Sequence, residues 1–469
     1  WLSYACGFIF FILILYWLAH ITLVGLILFC LYLALYFGFF GYFFTGFKIR
    51  HARTDIYLII FLSCVWVILE YLRSNLLSGF PWAILGYSQY QNIKIIQFAD
   101  IAGGFGLSFL VIFVNLCLFA VIKILYARDF KALFKFALIL SATFIAVYAY
   151  GSYSINKYSR NDEAVLKVSL IQANIPQEEK WSSFHKEKIK IDYLDLSVKA
   201  AEDAPDIIIW PETSYPEYII EGDAESIVPM LAAQYHVGVP ILFGAVYQKE
   251  GSYFNSAILL KDISVSPQIY KKIHLVPFGE YLPLRKLFFF LEPFVPIGDF
   301  SSGSEFFIFD VENKNKEPVR FGVLICFEDT IAQLSRQFVL RGADFLVNIT
   351  NDAWFKKTSS PYQHLQASVF RAVENRVCLI RAANTGVTCV IDNRGKIIKR
   401  LGGNQGTDIF VKGFITEEVS KSFQDINMGG REEYPLTFYS RYGDLFVFCC
   451  GLYMVLFVFG YIFAKRKYA

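Results

Sequence analysis

The chain has 469 residues, of which 55% are hydrophobic and 18% are charged, and its formal net charge is +3. This apolar excess is typical of a protein inserted in a membrane and argues against a soluble one. The small net charge gives no indication of nucleic-acid binding. The six His have no ligand spacing and the nine Cys form no secreted disulfide framework, so we predict no metal and no cofactor.

Six apolar segments are long enough to cross a bilayer, which takes roughly 20 residues. No charged residue precedes Lys48, and this stretch fits two spans broken near His20. The other four predicted spans are Ile56–Leu72, Ala102–Ile122, Ala132–Gly151 and Leu445–Ala464. We therefore predict residues 1–151 as an N-terminal transmembrane bundle with five spans, and residues 441–469 as a C-terminal transmembrane helix with a basic cytoplasmic tail.

Basic residues cluster in three places, and all three fall on one side of the membrane if the spans alternate. They are Lys48, Arg50 and Arg53; Lys123, Arg128, Lys131 and Lys135; and Lys465, Arg466 and Lys467. The positive-inside rule assigns this side to the cytoplasm. Residues 152–440 then lie on the opposite side, which is the periplasm if the spans lie in the inner membrane of a cell with two membranes.

The segment 152–440 has the pattern of an α/β domain. Short apolar or alternating runs bounded by turn residues predict strands, and amphipathic runs predict helices between them. The predicted strands are Val165–Ile171, Asp206–Trp210, Val239–Tyr247, Asn255–Lys261, Val319–Ile325, Ala343–Ile349 and Val387–Ile391. The main predicted helices are Phe184–Ala201 and Gln363–Arg376.

Polar residues with catalytic potential follow three of these strands. Glu212, Cys326 and Asn351 come just after apolar runs, and sites in α/β sheets form at the carboxyl ends of strands. A thiol attacks as its thiolate, so Cys326 needs a base and a positive charge nearby. Glu212, desolvated beside Trp210, has the chemistry of that base. Taken singly, Cys326 is more often an inert core thiol and Glu212 is as often a surface carboxylate.

A lysine in the segment YKKIHLVPFGEYLP adds the third group that acyl transfer needs. The ammonium of Lys272 can stabilise a tetrahedral oxyanion, with a backbone N–H after the nucleophile as second donor. Strand alternation points Lys271 outward when Lys272 points inward. Glu280, and likewise Glu328, can hydrogen-bond Lys272 and fix its position. The alternative for Lys272 and for Glu280 is an ordinary solvated side chain.

Glu212, Lys272 and Cys326, in this order, resemble the Glu-Lys-Cys triad of the nitrilase superfamily. A longer set of segments resembles the apolipoprotein N-acyltransferase family of Gram-negative bacteria, and the likeness covers nearly the whole chain. These segments are GFPWAILGYSQ, IQANIPQEEKW, IIIWPET, KKIHLVPFGEYLP, ICFED, NDAWF and NTGV. The resemblance implies a nitrilase-like αββα sandwich attached to an α-helical transmembrane bundle.

The resemblance also implies an activity. Such an enzyme transfers the sn-1 acyl chain of a phospholipid, typically phosphatidylethanolamine, to the α-amino group of the diacylglyceryl-cysteine of an apolipoprotein, with ping-pong kinetics. It implies that Cys326 is the nucleophile and forms a thioester, that Glu212 is the general base and that Lys272 binds the oxyanion. Glu280 and Glu328 match important acidic residues of the family, and Trp181 resembles a tryptophan tied to substrate handling.

Two departures from the family stand out. Phe327 replaces the tyrosine that often follows the nucleophile, so a supporting hydroxyl is absent while the backbone N–H remains. The family commonly has eight spans, whereas we count six. Because the chain begins at Trp1 inside an apolar run, we expect the missing pair at the N-terminal end, and losing two spans leaves the predicted orientation unchanged.

Aromatic residues suggest where lipid is bound. We expect Leu284–Phe300, with Phe288, Phe289 and Phe290, to form a lid at the membrane interface, although a core segment is an equal alternative. Trp82 and Tyr87 are candidates to line the same entrance.

Other functions share part of these features. A membrane-anchored amidase or nitrilase-type hydrolase has the same triad but uses water as acceptor. A transporter is disfavoured because the spans hold few ionisable residues at mid-bilayer depth. A catalytically dead scaffold is disfavoured by the intact triad.

Overall fold

The computed structural model describes residues 1–46, 55–159, 164–282, 300–402, 407–420, 425–426, 432–433 and 436–467. The chain divides into two compact units, residues 1–160 with 436–469 and residues 161–435. The division predicted from the sequence, after residues 151 and 440, differs from these limits by nine residues at the first and five at the second.

The first unit is built from long apolar helices. In chain order they are α1 (Leu2–Leu15), α2 (Leu23–Gly46), α3 (Ile56–Asn75), the short α4 (Ile93–Ile96), α5 (Ala99–Ala127) and α6 (Phe130–Tyr158). A 3-10 turn, Tyr16–His20, separates α1 from α2, which confirms the predicted break near His20. Helix α6 continues to Tyr158, past the predicted end at Gly151, because polar residues end a hydrophobic span without necessarily ending the helix.

The second unit contains two mixed β-sheets in its described residues. The strands are β1 (Ala164–Gln172), β2 (Ile207–Ile209), β3 (Tyr218–Ile220), β4 (Ile241–Lys249), β5 (Ser252–Leu260), β6 (Gln268–Lys271), β7 (Ile308–Glu312), β8 (Pro318–Ile325), β9 (Phe345–Thr350), β10 (Leu379–Ala383), β11 (Cys389–Ile391), β12 (Ile397–Arg400), β13 (Gly413–Ser420), β14 (Asp425–Ile426) and β15 (Glu432–Glu433). One sheet has the order β13-β1-β2-β4-β5-β6, with β3 beside β4, and the other has the order β12-β11-β10-β9-β8-β7.

Helices cover the outer faces of these sheets. They are α7 (Lys186–Ala201), α8 (Val228–Val237), α9 (Ala332–Leu340) and α10 (Ser360–Asn375). Tyr193 of α7 and Met230 of α8 join the core of the first sheet, which includes Trp210 and Phe243. On the second sheet, Gly322 of β8 allows the ring of Phe338 from α9 to approach so closely that an added Cβ would lie 2.5 Å from it.

All seven predicted strands overlap observed ones, but several strands were not predicted. The clearest omission is β10, which carries Arg381 in a fully buried position. A charged residue in the middle of a buried strand interrupts the continuous apolar run by which such strands are recognised in a sequence. Residues Asn393, Arg394 and Gly395 form the turn that joins the antiparallel strands β11 and β12.

The chain ends with two helices in the first unit, α11 (Phe438–Tyr442) and α12 (Leu445–Lys467). The ring of Phe457 in α12 stacks on Phe61 of α3, with 4.5 Å between ring centroids. By length and composition, six helical segments in the described part of the chain are able to span a membrane, as predicted. The protein is therefore a multi-pass membrane protein.

Candidate active site

The ends of strands from both sheets meet in the second unit. Glu212 follows β2 in one sheet, whereas Cys326 and Asn351 follow the neighbouring parallel strands β8 and β9 in the other. The backbone N–H of Asn351 donates to Oε2 of Glu212 at 2.9 Å. The carboxyl ends of the two sheets thus contribute to one site, as expected for α/β architectures.

Both oxygens of the Glu212 carboxylate are held. Oε1 accepts from Nδ2 of Asn255 at 2.7 Å and lies 3.8 Å from Nζ of Lys272. The side chain is largely buried, with 7% of the residue exposed. Glu212 therefore has a fixed orientation and little water around it, which suits a proton acceptor.

Lys272 is more deeply buried, and its ammonium lies between two carboxylates. Nζ donates to Glu280, at 2.9 Å from Oε1 and 2.8 Å from Oε2, while only 1% of the residue is exposed. Burial lowers the pKa of Lys272, but the charges of Glu280 and Glu212 outweigh burial, so that the pKa is raised. Lys272 is consequently a permanent cation, suited to stabilising negative charge and unsuited to accepting a proton.

Glu280 is itself anchored by a turn. Its Oε2 accepts from the backbone N–H of Val276 at 2.8 Å, and its Oε1 accepts from Nδ2 of Asn255 at 2.8 Å. Phe278, between them, adopts a left-handed conformation with φ of +61°. The predicted hydrogen bond between Glu280 and Lys272 is present in this arrangement.

Cys326 lies on a sharp exit from β8. Its φ of +53° is in the left-handed region, which costs a non-glycine residue about 1 kcal/mol or more. Burial raises the pKa of the Cys326 thiol, Glu212 raises it further and Lys272 opposes this rise. The group is therefore a thiol at rest, and a base must remove its proton for the sulfur to attack.

Comparison with known proteins identifies the family of this chain. The family model for carbon–nitrogen hydrolases matches residues 167–412, and that for the apolipoprotein N-acyltransferase N-terminal domain matches residues 1–117. The apolipoprotein N-acyltransferase of Geobacter metallireducens is 41% identical over 409 residues, covering 86% of this chain and 74% of the relative. That of Nitrosomonas europaea is 32% identical over 386 residues, covering 81% and 73%.

The chain belongs to the apolipoprotein N-acyltransferase family. It is accordingly an acyltransferase, and its second unit has the nitrilase-superfamily fold, which confirms the predicted fold class. Among solved structures, it is similar to Saccharomyces cerevisiae Nit3, with a TM-score of 0.42 and 16% identity over 55% of this chain and 91% of that one. It is also similar to an amidase of the nitrilase superfamily from Nesterenkonia, with a TM-score of 0.40 and 16% identity over 55% and 90%.

Phe327 and Glu328 are the two residues that follow Cys326. Oε1 of Glu328 accepts from the backbone N–H groups of Ile273 at 2.8 Å and His274 at 3.0 Å, and from the hydroxyl of Tyr270 at 2.9 Å. Burial raises the pKa of Glu328 to about 7, against these hydrogen bonds and the charge of Lys272. Glu328 thus binds the backbone that directly follows Lys272. The sequence predicted instead a hydrogen bond between Glu328 and the ammonium of Lys272.

Phe327 packs where the family often has a tyrosine. Its ring stacks on the imidazole of His274 with 6.1 Å between centroids, and the residue is buried. A core aromatic therefore fills this position, next to the segment that Glu328 holds.

The predicted lipid-contact residues have different positions. Trp181 is 42% exposed and stacks on Tyr218 with 6.3 Å between ring centroids. Trp82 and Tyr87 are buried in the first unit, where the carbonyl of Trp82 accepts from Arg73 at 2.6 Å. Their role at an entrance stays a prediction. Phe288, Phe289 and Phe290, and with them the predicted lid, lie outside the described residues.

Two site residues escaped the sequence analysis. Asn255 bridges Glu212 and Glu280 through one Nδ2 group, and it lies inside β5, where an amide has no distinctive signal. Lys180 is buried, and its Nζ donates to the backbone carbonyl of Glu212 at 2.9 Å. Burial lowers the pKa of Lys180 to about 8, opposed by the charges of Glu212 and Cys326. Its neighbour Trp181 drew attention only through the family resemblance.

Proposed function

We propose that this enzyme acylates the N-terminal diacylglyceryl-cysteine of apolipoproteins, taking the sn-1 acyl chain of a phospholipid through a thioester on Cys326. The observation that carries the proposal is the linked set of Glu212, Asn255, Lys272 and Glu280, which couples a carboxylate base and a permanent cation electrostatically to one thiol. The relatives named apolipoprotein N-acyltransferase support the acceptor.

In the first half-reaction, Glu212 takes the proton of the Cys326 thiol as the sulfur attacks the ester carbonyl. Lys272 and a backbone N–H stabilise the oxyanion of the tetrahedral intermediate. When that intermediate collapses, the C–O bond breaks and Glu212 returns its proton to the lysophospholipid alcohol. The product is an acyl thioester on Cys326, with Glu212 again ionised.

In the second half-reaction, the α-amino group of the lipoprotein attacks the thioester. Glu212 takes the proton that the nitrogen loses, the C–S bond breaks, and Cys326 leaves as a thiolate that recovers the proton. No water is consumed. Splitting the transfer into two steps predicts ping-pong kinetics.

The membrane spans fit a donor that resides in a bilayer. We infer that the helices of the first unit lie in the inner membrane with the basic clusters in the cytoplasm, so that the second unit is periplasmic. Phosphatidylethanolamine is the donor we expect. Trp181, exposed beside Lys180, is the aromatic side chain that we expect to contact substrate.

The two half-reactions allow a direct test. Purified full-length enzyme is first incubated with phosphatidylethanolamine, and the Cys326 peptide is analysed by mass spectrometry. A diacylglyceryl lipopeptide with a free α-amino group is then added. We expect an acyl adduct on Cys326 that the lipopeptide discharges to an N-acylated product, with no adduct in Cys326→Ala.

The results that would contradict this proposal fall into two kinds. An adduct that water discharges as fast as the lipopeptide does would support the hydrolase alternative. An adduct on another residue, or product formation by Cys326→Ala, would contradict the assignment of the nucleophile.

A further inference from the structure

A second group of ionisable side chains lies behind Cys326 and has no part in the chemistry described above. It consists of Asp329, Asp352, His364 and Arg381, all of them buried, and we refer to these four residues as the buried cluster. Charged groups without water are costly unless they neutralise one another. The geometry of the cluster shows how this is achieved.

The imidazole of His364 lies between the two aspartates. Nδ1 is 2.9 Å from Oδ1 of Asp352, and Nε2 is 2.8 Å from Oδ1 of Asp329. Arg381 joins the remaining carboxylate oxygens, with Nη1 3.0 Å from Oδ2 of Asp329 and Nη2 3.2 Å from Oδ2 of Asp352. Each aspartate is thus shared between the same two bases.

This arrangement determines the protonation state of His364. A neutral imidazole carries a single N–H, so one ring nitrogen would direct a lone pair at a carboxylate. With both aspartates ionised, both contacts are satisfied only by the imidazolium, and the two cations then balance the two aspartates. Burial and the charge of Arg381 lower the pKa of His364, but the two aspartates outweigh them and raise it to about 9.

The buried cluster contacts the backbone of the nucleophile. Nε2 of His364 lies 3.3 Å from the carbonyl oxygen of Cys326, and Nδ2 of Asn348 donates to the same oxygen at 3.0 Å. The amide of Asn348 is oriented in turn by Nη1 of Arg381, 2.7 Å from its Oδ1. The strained backbone of Cys326 is therefore held by His364 and Asn348. The positions of these two side chains depend on the charge balance of the buried cluster.

We propose that His364, doubly protonated between Asp329 and Asp352, is a positioning residue that fixes the carbonyl of Cys326 and so aims its thiol at the acyl group. The identity of that acyl group rests on the proposed function, but the positioning role concerns the thiol itself. It can therefore be tested with a reagent that needs neither phospholipid nor lipoprotein.

The proposal predicts a response to alkaline pH. The ionisable groups that face His364 are Asp329, Asp352, Arg381 and the Cys326 thiol. The Arg371–Glu374 ion pair lies next to them, and Arg371 donates to the backbone carbonyls of Asp329 and Thr330. The pKa of His364 is raised by folding, so its stabilising effect is complete below about pH 6.5 and is lost as the pH rises through about 9. Above that pH one aspartate faces a lone pair.

Two substitutions separate charge from shape. Asp352→Asn is isosteric: its amide N–H can donate to Nδ1 of a neutral His364 while its oxygen still accepts from Arg381, so the cluster stays neutral with every bond made. His364→Gln has no such compensation and leaves a buried excess negative charge. The double variant His364→Gln/Asp352→Asn restores neutrality. His236→Gln on α8, an exposed position, is the matched control.

The measurement is the rate of Cys326 alkylation by iodoacetamide in the full-length enzyme in detergent, followed on the Cys326 peptide from pH 6 to 10. We expect His364→Gln to be slower by about a hundredfold, the size of effect that a misplaced reacting group produces. We expect the double variant to recover most of this loss, and His236→Gln to match the wild type. Relative to Asp352→Asn, the wild type should lose reactivity only above about pH 9.

Several results would overturn the proposal. They are a wild-type rate in His364→Gln, a double variant no better than the single one, or a constant ratio of wild type to Asp352→Asn across the pH range. If His364→Gln does not fold, the pH-dependent ratio decides alone. Failure of acyl transfer with normal alkylation would count against the proposed function and leave the positioning role intact.

Discussion

Two groups of charged side chains meet at Cys326, and they differ in how closely their carboxylates are paired with cations. The site group, Glu212, Lys272 and Glu280, has two carboxylates and one ammonium, linked by Asn255. The buried cluster pairs two aspartates with two cations. In the site group, Glu280 contacts the Lys272 ammonium at 2.8 Å whereas Glu212 lies 3.8 Å from it, which leaves the Glu212 carboxylate able to take up a proton. In the buried cluster, both aspartates contact both cations, so neither carboxylate is left to take one up.

The largest effect is expected where both groups converge. Cys326→Ser keeps the shape but replaces the thiol with a far less acidic hydroxyl, so acyl transfer should fall by about a thousandfold or more. Thermal unfolding should change little, since the packing is preserved. A rate near that of the wild type would show that neither group serves this side chain.

The site group is tested next by removing one of its charges. Glu280→Gln takes away the carboxylate that holds Lys272, and we expect kcat to fall by about a hundredfold with little change in KM, as for the loss of an oxyanion donor. Glu225→Gln, at an exposed position, is the control. A rise in KM with unchanged kcat would instead make Glu280 a substrate-binding residue.

A smaller effect is expected at Lys180, which adds a second cation behind Glu212. Lys180→Met removes a charged hydrogen bond to the carbonyl of Glu212 and should slow Cys326 acylation by about tenfold at pH 7. Because the pKa of Lys180 is about 8, the wild type should approach the variant as the pH rises past this value. A ratio that is independent of pH would assign Lys180 a purely structural role.

The smallest effect is expected beside the buried cluster, at Ser368. Ser368 donates to Asp329 and accepts from Arg381 at 3.2 Å, but it carries no charge. Ser368→Ala should cost about 1–2 kcal/mol of stability, measured by chemical unfolding, and leave kcat nearly unchanged because the charges still balance. A large loss of kcat would show that the cluster depends on each bond rather than on its charge balance.

The proximity of Glu212, Lys272 and Cys326 was predictable, because Glu212 and Cys326 follow recognisable strands and Lys272 lies in a distinctive segment. The residues that connect them were not, because their partners are distant along the chain: Asn255 lies within a strand, and Lys180 lies in a loop. The sequence contains one weak indication of the buried cluster. His364 and Ser368 lie four residues apart on one face of α10, a pattern that resembled an ordinary amphipathic helix.

The assignment of Cys326 as the acyl carrier is tested most directly with a phosphatidylethanolamine that has different acyl chains at sn-1 and sn-2. After incubation with the enzyme alone, the mass of the Cys326 peptide reports which chain was transferred. We predict an increase equal to the sn-1 acyl group on Cys326 and on no other residue. No adduct, an adduct elsewhere, or the mass of the sn-2 chain would contradict the account.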